Sequence, residues 1–145
     1  MEHRLENNKQ QLFDPVRKKW VAHTPEEHVR QSVVEYLRDQ VGVPVNLCCV
    51  EYCLTNIDPG NLKQVDILVW KPGRAGEGKQ LTPWLLVECK APTVKIDEEL
   101  EFQVLHYLHV VRCDFLMLTN GADTRYYRLG EGQYERVESL PAYNL

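Results

Sequence analysis

The sequence predicts an α/β domain in which one mixed sheet is flanked by helices. Three observations carry this. Two segments, around 25–40 and 97–111, repeat apolar residues at helical spacing. Five short runs are rich in β-branched and aromatic residues, as strands are. Their order is helix, three strands, helix, strand, strand. A helix before the last buried strand, after a hairpin-linked series, produces a sheet of mixed direction. The 145 residues suit one domain, 1–145, with its core over about 24–130.

Residues 1–22 read as a polar lead-in with a basic cluster, Arg17, Lys18 and Lys19, before Trp20. The first helix then starts sharply. Thr24 is a good N-cap, Pro25 fits the first helical position, and Glu27 completes a T-x-x-E capping box. Val29, Val33, Tyr36 and Leu37 follow on one face, and Gly42 and Pro44 end the helix near residue 40. Residues 45–54, VNLCCVEYCL, read as a strand, closed by a Pro-Gly turn. QVDILVW (64–70) is the second strand. KPGRAGEGKQLTP (71–83) is a loop. WLLVEC (84–89) is the third strand, apolar enough to be central and buried on both faces, and Pro92 stops it. The second helix carries Leu100, Val104, Tyr107, Leu108 and Val111 on one side. A fourth strand runs from Cys113 to Leu118, closed by Asn120-Gly121, and a fifth, more exposed one spans 124–129.

Composition narrows the function. Hydrophobic residues make up 43% and charged residues 26%, an ordinary globular balance. No apolar run approaches the roughly 20 residues of a membrane span, and MEHRLENNKQQ is no secretory signal. A cytoplasmic location is expected, with no membrane partner. A net charge of −4 disfavours a protein that coats nucleic acid non-specifically. The five cysteines are expected as free thiols, and Cys48, Cys49 and Cys53 lack the spacings of zinc sites.

Two carboxylates stand inside apolar strands. Asp66 lies between Val65 and Ile67, and Glu88 lies in WLLVECK with Lys90 two residues on. Strand alternation puts Glu88 and Lys90 on one face. A hairpin across 71–83 would bring Asp66 beside Glu88. Two buried carboxylates repel and lose solvation, and a hard divalent cation such as Mg²⁺ relieves both costs. An adjacent lysine can stabilise charge developing on a phosphate. That set suffices for phosphodiester hydrolysis. The same spacing also fits an Asp at a strand end and an ordinary Glu–Lys ion pair.

The segments TPEEHVRQ (24–31), KQVDILVW (63–70), LLVECKAP (85–92), QVLHY (103–107) and LTNG (118–121) resemble the PD-(D/E)XK nuclease superfamily. Within it they are most similar to the N-terminal nuclease domain of type I restriction enzyme R subunits. The resemblance spans about residues 24–121. It implies a restriction-endonuclease-like core of order αβββαβ. It implies that Asp66 and Glu88 ligate Mg²⁺, replaceable by Mn²⁺, with the Cys89 carbonyl as a further ligand, and that Lys90 is the catalytic lysine. Gln103 and Tyr107, four apart on one helix face, would support the site or contact DNA. Two departures stand out: Val65 replaces the proline before the acid, and no G-x-x-x-x-G-K-[ST] P-loop follows.

The family also places an acid on its first helix. At about 100° per residue, Glu26 points into the Val29/Val33/Leu37 stripe, whereas Glu27 points away and serves the capping box. The two compete for the role, and the geometry prefers Glu26. Lys63, Lys95, Arg74 and Lys79 flank the site in sequence, Lys63 being the preferred phosphate contact. His106 and His109 read as solvated surface. The expectation is a Mg²⁺-dependent endodeoxyribonuclease of restriction or defence, with DNA, motor or specificity subunits, or a second copy as partners. The alternatives are a binding module of the same fold and a repair or RNA nuclease.

Overall fold

The first 22 residues are not a featureless lead-in. The computed structural model describes residues 1–73, 78 and 80–144. There they fold as a three-stranded antiparallel sheet of β1 (His3–Glu6), β2 (Lys9–Asp14) and β3 (Lys19–Ala22). The β1–β2 turn is Asn7-Asn8, both with positive φ (51° and 61°). Asparagine tolerates that region, which two-residue hairpin turns require. The sheet buries Leu12 and Asp14 completely and packs β2 against the first helix.

That helix, α1 (Pro25–Tyr36), begins as its sequence dictates. Thr24 is extended, and its hydroxyl accepts the Glu27 N–H at 3.0 Å. The reciprocal half of the capping box does not form, because the Glu27 side chain turns to arginines. The helix continues through one wider turn, Leu37–Val41, and closes on Gly42 at φ 87°.

The central layer is a six-stranded sheet. Its strands are β4 (Cys48–Cys53), β5 (Gln64–Pro72), β6 (Leu81–Cys89), β7 (Phe115–Thr119), β8 (Thr124–Leu129) and β9 (Tyr134–Val137), hydrogen-bonded in that order. Residues 45–47 form a short 3-10 turn before β4. Strands β5 and β6 reach further into the 71–83 segment than expected, with Lys71 paired to Thr82. Arg74 and Lys79 lie outside the described residues. The polar YERV run of β9 was not anticipated. β6 and β7 run parallel, and every other neighbouring pair is antiparallel. A parallel pair needs a crossover, which α2 (Glu98–Leu108) supplies, N-capped by Asp97 through the Leu100 N–H at 2.9 Å. The helix is a turn shorter than its apolar pattern.

Two cores result. α1 places Val29, Val33, Val34 and Leu37 against Ile67, Val69, Leu85, Val87 and Met117. α2 places Val104 and Leu108 against Leu68, Leu86, Leu116 and Leu118. Each such fully buried side chain contributes about 1.5–3 kcal/mol by leaving water. With both faces covered, β6 is buried from Trp84 through Cys89, as its unbroken apolar run predicts.

Candidate active site

The pairing of β5 with β6 sets the site. Ile67 faces Val87 and Leu68 faces Leu86. One step further along this antiparallel register stand Asp66 and Glu88, 7% and 5% exposed. Both line a cleft together with Lys90, Lys63, Glu26, Arg30 and Glu51. The cleft walls therefore hold four carboxylates, Glu26, Glu51, Asp66 and Glu88, against three cations, Arg30, Lys63 and Lys90.

The two central acids are treated differently. Both oxygens of Asp66 are bonded, and Oδ2 by a single donor. Its Oδ1 accepts from Arg30 Nη2 at 2.8 Å and Nε at 3.3 Å, and its Oδ2 accepts from the Cys89 N–H at 2.7 Å. Glu88 Oε2 is buried with no hydrogen-bond partner among the described residues, and so is the Tyr107 hydroxyl. Burial first, then the field of Asp66, holds the Glu88 carboxyl above its ordinary range. Tyr107, Lys90 and Lys63 pull the other way. The Tyr107 hydroxyl is near enough to polarise toward Glu88, although no hydrogen bond of normal geometry joins them. Burial and Glu88 push that hydroxyl's own pKa up. Lys90 Nζ stands 3.6 Å from Glu88 Oε1, and Lys63 Nζ lies 4.5 Å from the Tyr107 ring centroid.

An orphaned, buried carboxylate oxygen is costly, and a divalent cation would satisfy it. The donor set fits such an ion: hard oxygens of Asp66 and Glu88 at adjacent strand positions. As they stand, no three His, Cys, Asp or Glu groups among the described residues are spaced to hold a metal.

Glu26 does reach the cleft, but not by the predicted route. It is exposed, whereas Glu27 is buried at 8% exposure. Glu27 accepts from Arg17 Nη2 at 2.6 Å, Arg30 Nη1 at 3.0 Å and Gln31 Nε2 at 3.3 Å. The buried face of α1 takes in Glu27, Arg30 and Gln31 besides the valines, so its centre lies toward Glu27. Gln103 is exposed, and neither Gln103 nor Lys95 lines the cleft. The structure ties Cys89 to the site through its N–H. His106 is exposed and stacks on exposed Phe102.

Three residues near the site were not expected there from the sequence: Arg17, Arg30 and Glu51. Arg17 bonds Asp14 and Glu27, and Arg30 bonds Glu27 and Asp66. Burial works against both guanidinium charges. The bonds to Asp14 and Glu27 for Arg17, and to Asp66 for Arg30, outweigh it and raise both pKa values. Glu51 lies 3.4 Å from Arg17 and 3.3 Å from Arg30.

Fold and cleft together define a class: an α/β domain that gathers an acid pair on adjacent strands of a mixed sheet, with a lysine just after one of them. A model of the family described as the type I restriction enzyme R protein N terminus matches residues 25–141, and the chain belongs to that family. No curated protein and no solved structure matches.

Proposed function

We propose that this domain is a metal-dependent endodeoxyribonuclease of the PD-(D/E)XK type, with a restriction-endonuclease-like core, acting in restriction. The observation that carries the reading is the buried Glu88 Oε2, unpartnered among the described residues, beside Asp66, with Lys90 just past the end of β6 and 3.6 Å from the other Glu88 oxygen. A binding module would have no use for that cost. The family supports the restriction context, and the element order α1, β4, β5, β6, α2, β7 agrees with an αβββαβ core.

Asp66 and Glu88 would hold Mg²⁺ or Mn²⁺, the Cys89 carbonyl being a further candidate. The ion would supply charge neutralisation and Lewis acidity at the phosphate. Arg30 and the Cys89 N–H fix Asp66, as hydrogen bonds to a ligand carboxylate do in metal sites. Lys90, partly exposed at the cleft, would stabilise charge developing on the scissile phosphate. Lys63 stands where a neighbouring phosphate can meet it. DNA is the proposed substrate, with a separate motor or specificity subunit, or a second copy, as partners, in the cytoplasm. No helix among the described residues is long and apolar enough to cross a membrane.

The test is single-turnover nicking of plasmid with Mg²⁺ or Mn²⁺, with chelator controls, beside Lys90→Ala. Lys90→Ala should cut roughly 10²–10³ times more slowly, the worth of one preorganised charge, with unchanged melting. Equal rates would remove Lys90 from the chemistry and favour the binding-module alternative. RNA and single-strand substrates run in parallel would show whether DNA is the target.

A further inference from the structure

Glu51 is a non-glycine residue with φ 55° in the interior of β4. Its neighbours keep the ladder, Val50 to Ile67 and Tyr52 to Val65, while Glu51, level with Asp66, drops out of it. Left-handed backbone inside a strand costs free energy, and such outliers cluster at functional sites. The arginines do not account for it. Both make their shorter bonds elsewhere, to Asp14, Glu27 and Asp66, and touch Glu51 only at 3.3–3.4 Å. Both contacts fall on Oε1, so the second oxygen is not committed to them. The side chain is 45% exposed and lines the same cleft as Asp66 and Glu88.

We infer that Glu51 is a third carboxylate serving the cation of this cleft, a positioning residue that accepts hydrogen bonds from water in the ion's hydration shell. The inference rests on the metal-dependent reading above. Mg²⁺ keeps most of its water when two carboxylates hold it. An acid one water further out orients that shell without entering it. Arg17 and Arg30 meet Glu51 through one oxygen only, which leaves the other for water. The strained backbone sets the direction.

The test compares Glu51→Gln and Glu51→Gly with wild type in thermal melts across a Mg²⁺ titration. Glu51→Gln keeps the size and loses the charge. Glu51→Gly also releases the φ constraint, because glycine adopts this region freely. Without metal, Gln should melt near wild type and Gly at or above it. Both should need roughly 10–100 times more Mg²⁺ for the same shift, the usual effect of losing an outer-shell partner. Cleavage by Glu51→Gln should recover as Mg²⁺ is raised. Wild-type Mg²⁺ dependence in both variants overturns the inference and leaves the nuclease reading intact. Failure of both to fold, or lower metal-free melting with unchanged Mg²⁺ dependence, makes Glu51 a structural partner of the arginines and also overturns it. No Mg²⁺ shift in wild type brings down the metal reading and this inference with it.

Discussion

The two walls of the cleft are built on opposite principles. On the α1 side every buried charge is answered. Asp14, Arg17, Glu27, Arg30 and Asp66 form a closed chain of ion pairs joining the N-terminal sheet, α1 and β5. On the β6–α2 side, Glu88 Oε2 and the Tyr107 hydroxyl are buried without partners among the described residues. Buried polar networks rigidify when complete and are costly when incomplete. The complete wall therefore reads as scaffold and the incomplete one as the place where the proposed chemistry would fall, with Asp66 standing between the two.

Breaking the scaffold wall should have the largest effect on stability. Arg30→Met leaves Glu27 and Asp66 buried with a shared cation gone, which should cost about 3–5 kcal/mol in denaturant unfolding. If Arg30→Met unfolds like wild type, the closed wall is not holding the fold, and the contrast between walls collapses.

A smaller effect separates the two acids of the first turn. Glu27→Gln removes the charge that Arg17 and Arg30 share, and should lower stability by about 1–3 kcal/mol. Glu26→Gln, exposed at the cleft, should leave stability unchanged and act only on cleavage. Equal stability losses in the two variants, measured in urea, would blur the division.

The open wall should show itself in pH dependence. Glu88 has its folded-state pKa raised, chiefly by burial and then by Asp66. Between the ordinary carboxylate value and that raised one, the folded protein binds more protons than the unfolded chain. This group's contribution therefore favours folding at low pH and is lost as pH rises through that window. Metal-free Glu88→Gln should show a flatter profile than wild type and melt higher above the window, by a few degrees at most. A parallel pair of melting-versus-pH curves would mean that Glu88 already has a partner in solution.

Most of the central architecture was legible because it rests on local pattern. The α1 start needed only Thr24, Pro25 and Glu27, and β5 and β6 stood out as apolar runs interrupted by one acid each. Alternation within β6 set Glu88 and Lys90 on one face, and the hairpin put Asp66 next to them. The N-terminal sheet was not legible. All four residues of β1 are exposed, and β2 buries only Leu12 and Asp14, so no apolar alternation marks them. Asn7-Asn8 and Asp14-Pro15 were the turn signals. From that omission came the misplacement of Glu26 and Glu27, since it is β2 and its turn that bury the Glu27 side of α1. Arg17, Arg30 and Glu51 stayed invisible for a different reason. Their partners lie as far as 36 residues away, and a charged residue carries no periodic mark of which distant charge it meets.

Arg17 has a consequence for where this domain starts. The family match opens at Pro25, yet Glu27 and Glu51 are each held by one arginine inside that boundary and one outside it. The unit recognised by descent and the unit that folds are thus not the same length. A chain trimmed to the homologous segment would keep Glu26, Glu51, Asp66, Glu88 and Lys90 and still lose one of the two arginines that meet Glu27 and Glu51, so the β2–β3 hairpin ahead of the match belongs to the same packed unit.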